Sequence, residues 1–393
     1  MLLEKEFSLE QPVFLMREVE PSGRPTVAEI DLRALEFNYR QIQKKVPRRT
    51  KILGVVKADA YGHGSLRVSL TLEALGIEYL GVAIPDEGIE LRKGGVRTPI
   101  LILGGLFSEE EGKRFLRYDL TPVVFKEDSL QILSREAKKE RKRIKVHLKV
   151  DTGMGRLGVA TKDWPAFLQE VKRCREIEVE GILSHFSMAD EDGGAYSKEQ
   201  WKKFERAVAV AKASGLRPRY LHMANSANLV ASAFSAGNLV RPGIMLYGSY
   251  PSPTFGKRIK LRPLMTLKTR IHFLKEVPPG SRISYGGTFV AKRKRLIATL
   301  PIGYADGYNR LLSNRGEVLI RGRKAPVVGT VCMDYIMADV SHIASVSTGD
   351  EVVLLGEQGN GRITAEEIAE KLGTISYEVL CSVGKRVPRV YRS

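Results

Sequence analysis

At 393 residues the chain is long enough for two or three domains of a typical ~150 residues each. Hydrophobic residues supply 43% and charged residues 27%, close to globular averages, which excludes a disordered, collagen-like or coiled-coil protein. Lys and Arg number 63 against 45 Asp and Glu, so a net charge of +18 raises a polyanionic partner as the first question.

Residues 1–26 read as an irregular lead-in closed by the turn-prone Pro21, Ser22, Gly23 and Pro25. From Asp31, a candidate N-cap, Leu32, Leu35, Tyr39, Ile42 and Val46 recur at helical spacing. Short apolar runs follow at 52–57, 79–84, 99–105, 120–125, 145–151, 180–186, 219–224 and 239–244. Helical stretches separate them. In the clearest, Trp201, Phe204, Val208 and Ala211 share one face and Gly215 supplies the stop. Near-continuous apolar strands alternating with helices predict an α/β fold, a (β/α)8 TIM-like barrel, with a doubly wound open sheet as the alternative.

The rhythm changes near Arg262 and Pro263. Over 265–273, Met265, Leu267, Thr269, Ile271 and Phe273 alternate with polar residues, the period of a half-buried strand. Strand-like runs at 295–300, 317–320, 326–332 and 351–355, and a helix opened by a Thr364/Glu367 capping box, complete the pattern. A C-terminal mostly-β domain over 263–393 is therefore expected after a barrel over 27–262. The charge runs at 138–145 and 292–295 read as solvated faces.

In a barrel, chemistry sits where strands end. Lys57 ends the first apolar run and enters the glycine-rich ADAYGHG; the apolar approach would desolvate its amine and lower its pKa, as a nucleophilic amine requires. Residues 153–158 spell G-x-G-x-x-G, but Val159 and Ala160 follow where a helix should begin, so the segment reads as an active-site loop. His185 and His222 close the sixth and seventh strands. Ser226 opens the next helix, and Arg241-Pro242-Gly243-Ile244 ends the eighth strand, where barrels bind phosphate.

The histidines lack zinc-ligand spacing and no G-x-S-x-G elbow is present, so neither a metal site nor a serine hydrolase is expected. Cys174, Cys332 and Cys381 form no disulfide framework, and the charged start MLLEKEFSLE interrupts any export signal. No apolar run reaches the ~18 to 20 residues of a membrane span, which leaves a cytoplasmic protein without a membrane partner as the expectation.

VVKADAYGHG (55–64), KVDTGMGRLG (149–158), HMANSA (222–227), VRPGIMLYG (240–248), ISYGGTF (283–289), GYADGY (303–308), TVCMDYIM (330–337) and SYEV (376–379) occur in that order. On these motifs the chain resembles the alanine racemase family over about residues 27–391. The resemblance implies a barrel carrying pyridoxal 5′-phosphate, a C-terminal β domain, and a homodimer with shared active sites. It implies that Lys57 forms the Schiff base with the cofactor and that Tyr285, donated from the partner subunit, is the second catalytic base. Racemisation takes an α-proton from one face and returns one to the other, so two bases on opposite sides are needed.

By the same resemblance, Arg241 meets the pyridine nitrogen, and Tyr61, Tyr377, Ser226 and the N–H groups of Gly243 and Ile244 hold the phosphate. His185 is expected near the ring and His222 bonded to Tyr285. Arg156 and the Met333 N–H, the latter from the partner, would meet the substrate carboxylate, with Asp334 nearby. Lys149 stands where many family members carry a carbamylated lysine that orients this arginine. Two positions depart from the pattern: Asp59, often Asn, and Tyr335, often Gln.

The implied reaction interconverts L-alanine and D-alanine, a precursor of peptidoglycan. Breadth toward other small amino acids stays open. A same-fold pyridoxal-phosphate decarboxylase would place a glutamate at the pyridine nitrogen and bring a catalytic cysteine motif, whereas Arg241 and Tyr285 occupy the deciding positions. A nucleic-acid partner would require clustered cations interleaved with aromatics, which the sequence lacks.

Overall fold

The computed structural model describes residues 23–189, 194–231, 237–252, 255–256 and 258–392; most of the lead-in, 1–22, lies outside them. β1 (Val27–Asp31) runs directly into a helix over Leu32–Lys45. That helix starts where the sequence places it. Asp31 Oδ1 accepts the Ala34 N–H at 3.0 Å, a cap that contributes about 1 kcal/mol.

The barrel follows as β2 (Lys51–Val55), β3 (Tyr79–Val82), β4 (Ile100–Ile102), β5 (Leu120–Val124), β6 (Ile144–Asp151), the short β7 (Val159–Ala160), β8 (Ile177–Leu183), β9 (Tyr220–His222) and β10 (Leu239–Val240). Each expected apolar run holds one strand. The pairings are parallel in the order β10-β2-β3-β4-β5-β6-β8-β9, with β7 a side branch on β6. Isolated bridges His222–Gly237 and Asn225–Arg241 draw the two edges together and nearly close the ring. Leu53, Leu80, Ile100, Ile102, Val124, Leu148 and Ile182 have no exposed surface. Burial on both faces is why these strands read as unbroken apolar runs.

The helix over Ala195–Ala213 covers the stretch marked by Trp201, Phe204, Val208 and Ala211, and Gly215, at φ +96°, follows its end. Among the described residues no helix is long and apolar enough to cross a membrane.

The remainder is β-rich, as expected: β11 (Met265–Arg270), β12 (Phe273–Val277), β13 (Arg282–Ile283), β14 (Phe289–Val290), β15 (Arg295–Leu300), β16 (Glu317–Ile320), β17 (Arg323–Pro326), β18 (Ile336–Asp339), β19 (Glu351–Gln358), β20 (Gly361–Ile363) and β21 (Arg389–Arg392). β1 pairs here and not in the barrel, antiparallel to β11 and parallel to β21. Two strand readings need correction. The run over 265–273 is two strands, because Ile271 and His272 carry the chain from the sheet of β11 to a separate sheet of β12, β15 and β18. The run over 326–332 holds only the end of β17 and a bridge at Val327; the chain then turns at Gly329, φ +79°, where a Cβ would stand 2.7 Å from Ile283 O. The capping box forms reciprocally, with Thr364 Oγ1 accepting from Glu367 N–H at 3.1 Å and Glu367 Oε2 accepting from Thr364 N–H at 3.0 Å.

Candidate active site

Past Val55 the backbone departs from anything its residue types predict. Ala58, Asp59, Ala60 and Tyr61 take φ values of +52°, +52°, +52° and +54°, one left-handed turn. For non-glycine residues this costs about 1–2 kcal/mol each, so the turn must be held from outside. Glu87 Oε1 accepts the Ala58 N–H at 2.6 Å while its Oε2 accepts the Ala83 N–H at 2.7 Å. Asp59 Oδ1 accepts the Ser65 N–H at 2.7 Å, so aspartate serves here as an acceptor. Gly62 and Gly64 admit no side chain: a Cβ would lie 2.4 Å from Leu380 O and 1.7 Å from Tyr391 Oη respectively.

The turn places Lys57 and Tyr61 on a cavity of about 720 Å³ that Lys149, Arg156, His185, Ser226, Arg241, Gly243, Ile244 and Tyr377 also line. Residues drawn from strands β2, β6 and β8, from the loops after β9 and β10, and from the C-terminal domain thus converge. The volume suits a small-molecule site, typically ~300–1,000 Å³. Tyr285, Met333 and Asp334 do not line this cavity.

Cations dominate the field. Burial first, and then the charge of Arg156, holds the Lys57 amine below the usual lysine value. Lys149 is 6% exposed, and burial together with Arg241 and Arg156 pushes it down to about 8. Arg241 is embedded: Nη1 donates to His222 Nδ1 and to His222 O, both at 2.9 Å, and Nη2 donates to Ser184 O at 2.7 Å. Burial lowers its pKa, yet a guanidinium remains a cation. His185 Nδ1 lies 3.1 Å from Arg241 Nη2.

Both ring nitrogens of His222 are engaged inside its own barrel, so the ring holds no free nitrogen for Tyr285 of the partner subunit, which the resemblance sets beside it. Its ring nitrogens are taken by Arg241 Nη1 and, at 2.8 Å, by His147 Nδ1. A guanidinium in a dry site needs acceptors, and the nearest imidazole supplies one.

At the ends of β9 and β10, donors converge. Ser226 Oγ accepts the Gly243 N–H at 2.9 Å, and a Cβ on Gly243 would stand 2.5 Å from Tyr61 Oη. Tyr377 closes the corner with its ring 6.0 Å from that of Tyr61. Burial pushes the Tyr61 phenol upward, so it stays a hydroxyl donor. The G-x-G-x-x-G segment serves another purpose: Asp151 accepts the N–H groups of Gly153, Met154 and Gly155 at 2.9, 2.9 and 3.0 Å. Those donors are spent within the loop, β7 follows in place of a helix, and Arg156 is delivered to the cavity.

Tyr285 and Met333 sit elsewhere, 73% and 52% exposed. One local framework holds both: Thr330 Oγ1 donates to Tyr285 O at 2.8 Å, Ser284 Oγ donates to Thr330 O at 2.5 Å, and Ala305 N–H donates to Met333 O at 3.1 Å. Asp334 Oδ1 accepts from Arg386 Nη2 at 2.7 Å.

The family pattern for the alanine racemase N-terminal domain matches residues 30–251, and that for the C-terminal domain matches residues 264–391. An alanine racemase of Geobacter sulfurreducens is 49% identical over 373 residues, 94% of this chain and 97% of that one. The chain belongs to the alanine racemase family. Its fold matches that of the Clostridium difficile alanine racemase with a TM-score of 0.88 at 40% identity, covering 94% of this chain and 96% of that one. The Bartonella henselae alanine racemase, solved with covalently bound pyridoxal phosphate, matches with a TM-score of 0.82 at 29% identity, covering 94% and 99%.

Sequence reasoning overlooked three side chains that build this alanine racemase-family site. Glu87, a single carboxylate outside any motif, holds the turn after β2, and Asp151, though inside KVDTGMGRLG, holds the second loop in a role the motif does not name. His147 is one of the histidines without metal-ligand spacing and stands in no quoted motif. Its signal is Gly181 on the neighbouring strand, where a Cβ would press within 2.5 Å of His147 Nδ1.

Proposed function

We propose that the protein racemises alanine with pyridoxal 5′-phosphate, as a homodimer in which Tyr285 and Met333 complete the partner's site. The residues present fit the cofactor. A phosphate would be met by the hydroxyls of Tyr61, Tyr377 and Ser226 and the N–H of Ile244, with the Gly243 N–H exchanging Ser226 Oγ for it, in a corner where a Cβ on residue 243 would crowd Tyr61. Lys57 supplies the amine that would anchor the aldehyde end. When bound, the cofactor supplies an electron-withdrawing ring that acidifies the α-carbon of the attached amino acid.

The chain's own groups do the rest. Lys57, held low by burial and Arg156, is a base for one face of the α-carbon. Tyr285 of the second subunit serves the opposite face. Arg241 would offer the pyridine nitrogen a hydrogen bond but no transferable proton, and would thereby limit charge flow into the ring. Arg156 and the partner subunit's Met333 N–H would orient the substrate carboxylate, with Asp334 beside them; His185 would lie near the ring, and His222 supports Arg241.

At a pKa of about 8, roughly a tenth of Lys149 is neutral near pH 7. Only the neutral amine adds carbon dioxide. The addition releases one N–H proton to solvent, and the carbamate so formed would pair with Arg156 through charge-assisted bonds in place of a clash between cations. The dimer reading draws support from exposed Tyr285, Met333, Leu311 and Tyr304 in the C-terminal domain, large apolar groups that one subunit leaves in water. D-alanine made in the cytoplasm would supply peptidoglycan synthesis.

The observation that carries this reading is one cavity holding a pKa-lowered lysine, a buried arginine and a phosphate-shaped donor corner. L-alanine incubated with the protein in deuterated water should lose optical activity while gaining α-deuterium. Retention of both chirality and the α-hydrogen would contradict it, and release of carbon dioxide would favour a decarboxylase.

A further inference from the structure

Beneath the cavity a line of buried polar groups crosses the barrel interior. Arg241 Nη1 lies 2.9 Å from His222 Nδ1, His222 Nε2 lies 2.8 Å from His147 Nδ1, and His147 Nε2 lies 3.4 Å from Glu180 Oε2. Arg241 and Glu180 are 5% and 7% exposed, and neither histidine is exposed at all. At the far end, Glu180 Oε2 accepts from Tyr79 Oη at 2.5 Å, and Glu180 Oε1 faces Lys145 Nζ at 3.2 Å.

The direction of every proton in this line is fixed by its two ends. A guanidinium has donors only, so His222 Nδ1 must accept and the His222 proton must sit on Nε2. His222 Nε2–H then donates to His147 Nδ1, which places the His147 proton on Nε2, aimed at a carboxylate that can only accept. We propose that Glu180, His147 and His222 form a one-way hydrogen-bond relay that locks both imidazoles as Nε2–H tautomers and thereby orients Arg241 at the floor of the cofactor site. The three are positioning residues, and the proposal rests on the reading of Arg241 as the partner of the pyridine nitrogen.

The surroundings agree with neutral imidazoles under a fixed anion. Burial lowers both histidines, and for His222 the charge of Arg241 adds to it. Burial alone would raise the Glu180 carboxyl, but hydrogen bonds from His147 and Tyr79 outweigh it and bring the group down to about 2. The rings are also sterically fixed: His147 packs between Tyr79 and Tyr220 at 5.6 and 6.0 Å, and only a glycine at 181 leaves its Nδ1 room. Were His147 the Nδ1–H tautomer in this orientation, it would donate to His222 Nε2 and leave the His222 proton on Nδ1, donor against donor with Arg241 in a dry core.

The test is nitrogen NMR of the holoenzyme labelled at histidine with 15N, beside two variants of similar size. His147 and His222 should both show a protonated Nε2 and a bare Nδ1; an Nδ1–H or a doubly protonated ring at either position overturns the relay. His147→Gln can accept from His222 and donate to Glu180, so it preserves the direction, whereas His147→Leu leaves the His222 Nε2–H without an acceptor. His147→Leu should lower kcat about tenfold with little change in KM and move the absorbance maximum of the bound cofactor, whereas His147→Gln should stay within about threefold of wild type with an unmoved maximum. Equal effects of the two variants overturn the positioning role. Should His147→Leu fail to fold, the wild-type tautomers decide alone. If racemisation is absent while the tautomers are as stated, the functional reading fails and the relay geometry stands.

Discussion

Arg241 is 5% exposed and surrounded by acceptors from its own barrel, while Tyr285 is 73% exposed and is anchored through its backbone carbonyl. The contrast extends to their neighbours. Around Lys57, a left-handed turn is held by Glu87, and the field of Arg156 acts on a desolvated amine. Around Tyr285 and Met333, a firm loop framework presents side chains to solvent. A buried half whose bonds close within one subunit needs nothing further to keep its shape. An exposed half that is equally well braced is built to meet something, and the family reading makes that a second copy of the chain.

Breaking the buried half should have the largest effect. Lys57→Ala is expected to abolish the borohydride-reducible chromophore and reduce racemisation by about 10³-fold or more; visible spectra and polarimetry measure both. On the exposed half, Tyr285→Phe should lower turnover by about 10²–10⁴-fold while leaving the chromophore intact. The loss should differ between the two directions, read as α-deuterium exchange from L-alanine and from D-alanine. Equal and negligible effects would place the second base elsewhere.

Gly243→Ala sharpens the account of the donor corner. Its Cβ would fall 2.5 Å from Tyr61 Oη, and overpacking of this kind costs about 1–3 kcal/mol. Cofactor Kd should therefore rise about tenfold or more with the barrel still folded, as titration of the stripped protein would measure.

The smallest effect concerns Lys149. Its folded-state value of about 8 lies below the ordinary ~10.4, so between those values the unfolded chain binds more protons than the folded one. Stability of the unmodified protein should rise with pH through that window, by about 1–3 kcal/mol. Thermal unfolding in carbon-dioxide-free buffer should show this rise in wild type and not in Lys149→Met; equal pH slopes would contradict it. With 13C-bicarbonate present, a carbamate resonance should appear in wild type alone.

The barrel was legible because parallel strands buried on both faces leave unbroken apolar runs, as at Ile100–Ile102. β1 was not, because Val27–Asp31 is short, alternates in burial, and finds its partners near residues 265 and 390. The strand over 265–273 misled because its alternation continues through Ile271 and His272 while the chain changes sheets. The left-handed turn is invisible in Ala-Asp-Ala-Tyr, ordinary helix-compatible residues forced into that conformation by tertiary contacts. In the site, Lys57, Arg156, Ser226 and Arg241 could be named by motif and strand position, and one cavity receives them. The His222 partner could not, since which acceptor a buried arginine finds depends on packing between strands far apart in sequence.

The comparison between the two halves reduces to one claim: Lys57 and Tyr285 of different subunits form one working site. Co-refolding Lys57→Ala with Tyr285→Phe tests it directly, because each hybrid dimer then holds one site with both wild-type residues and one with neither. Mixing should restore racemisation well above that of either parent homodimer, toward one working site in every hybrid. No recovery, with hybrid dimers demonstrated by mass, would mean that each subunit supplies both bases itself.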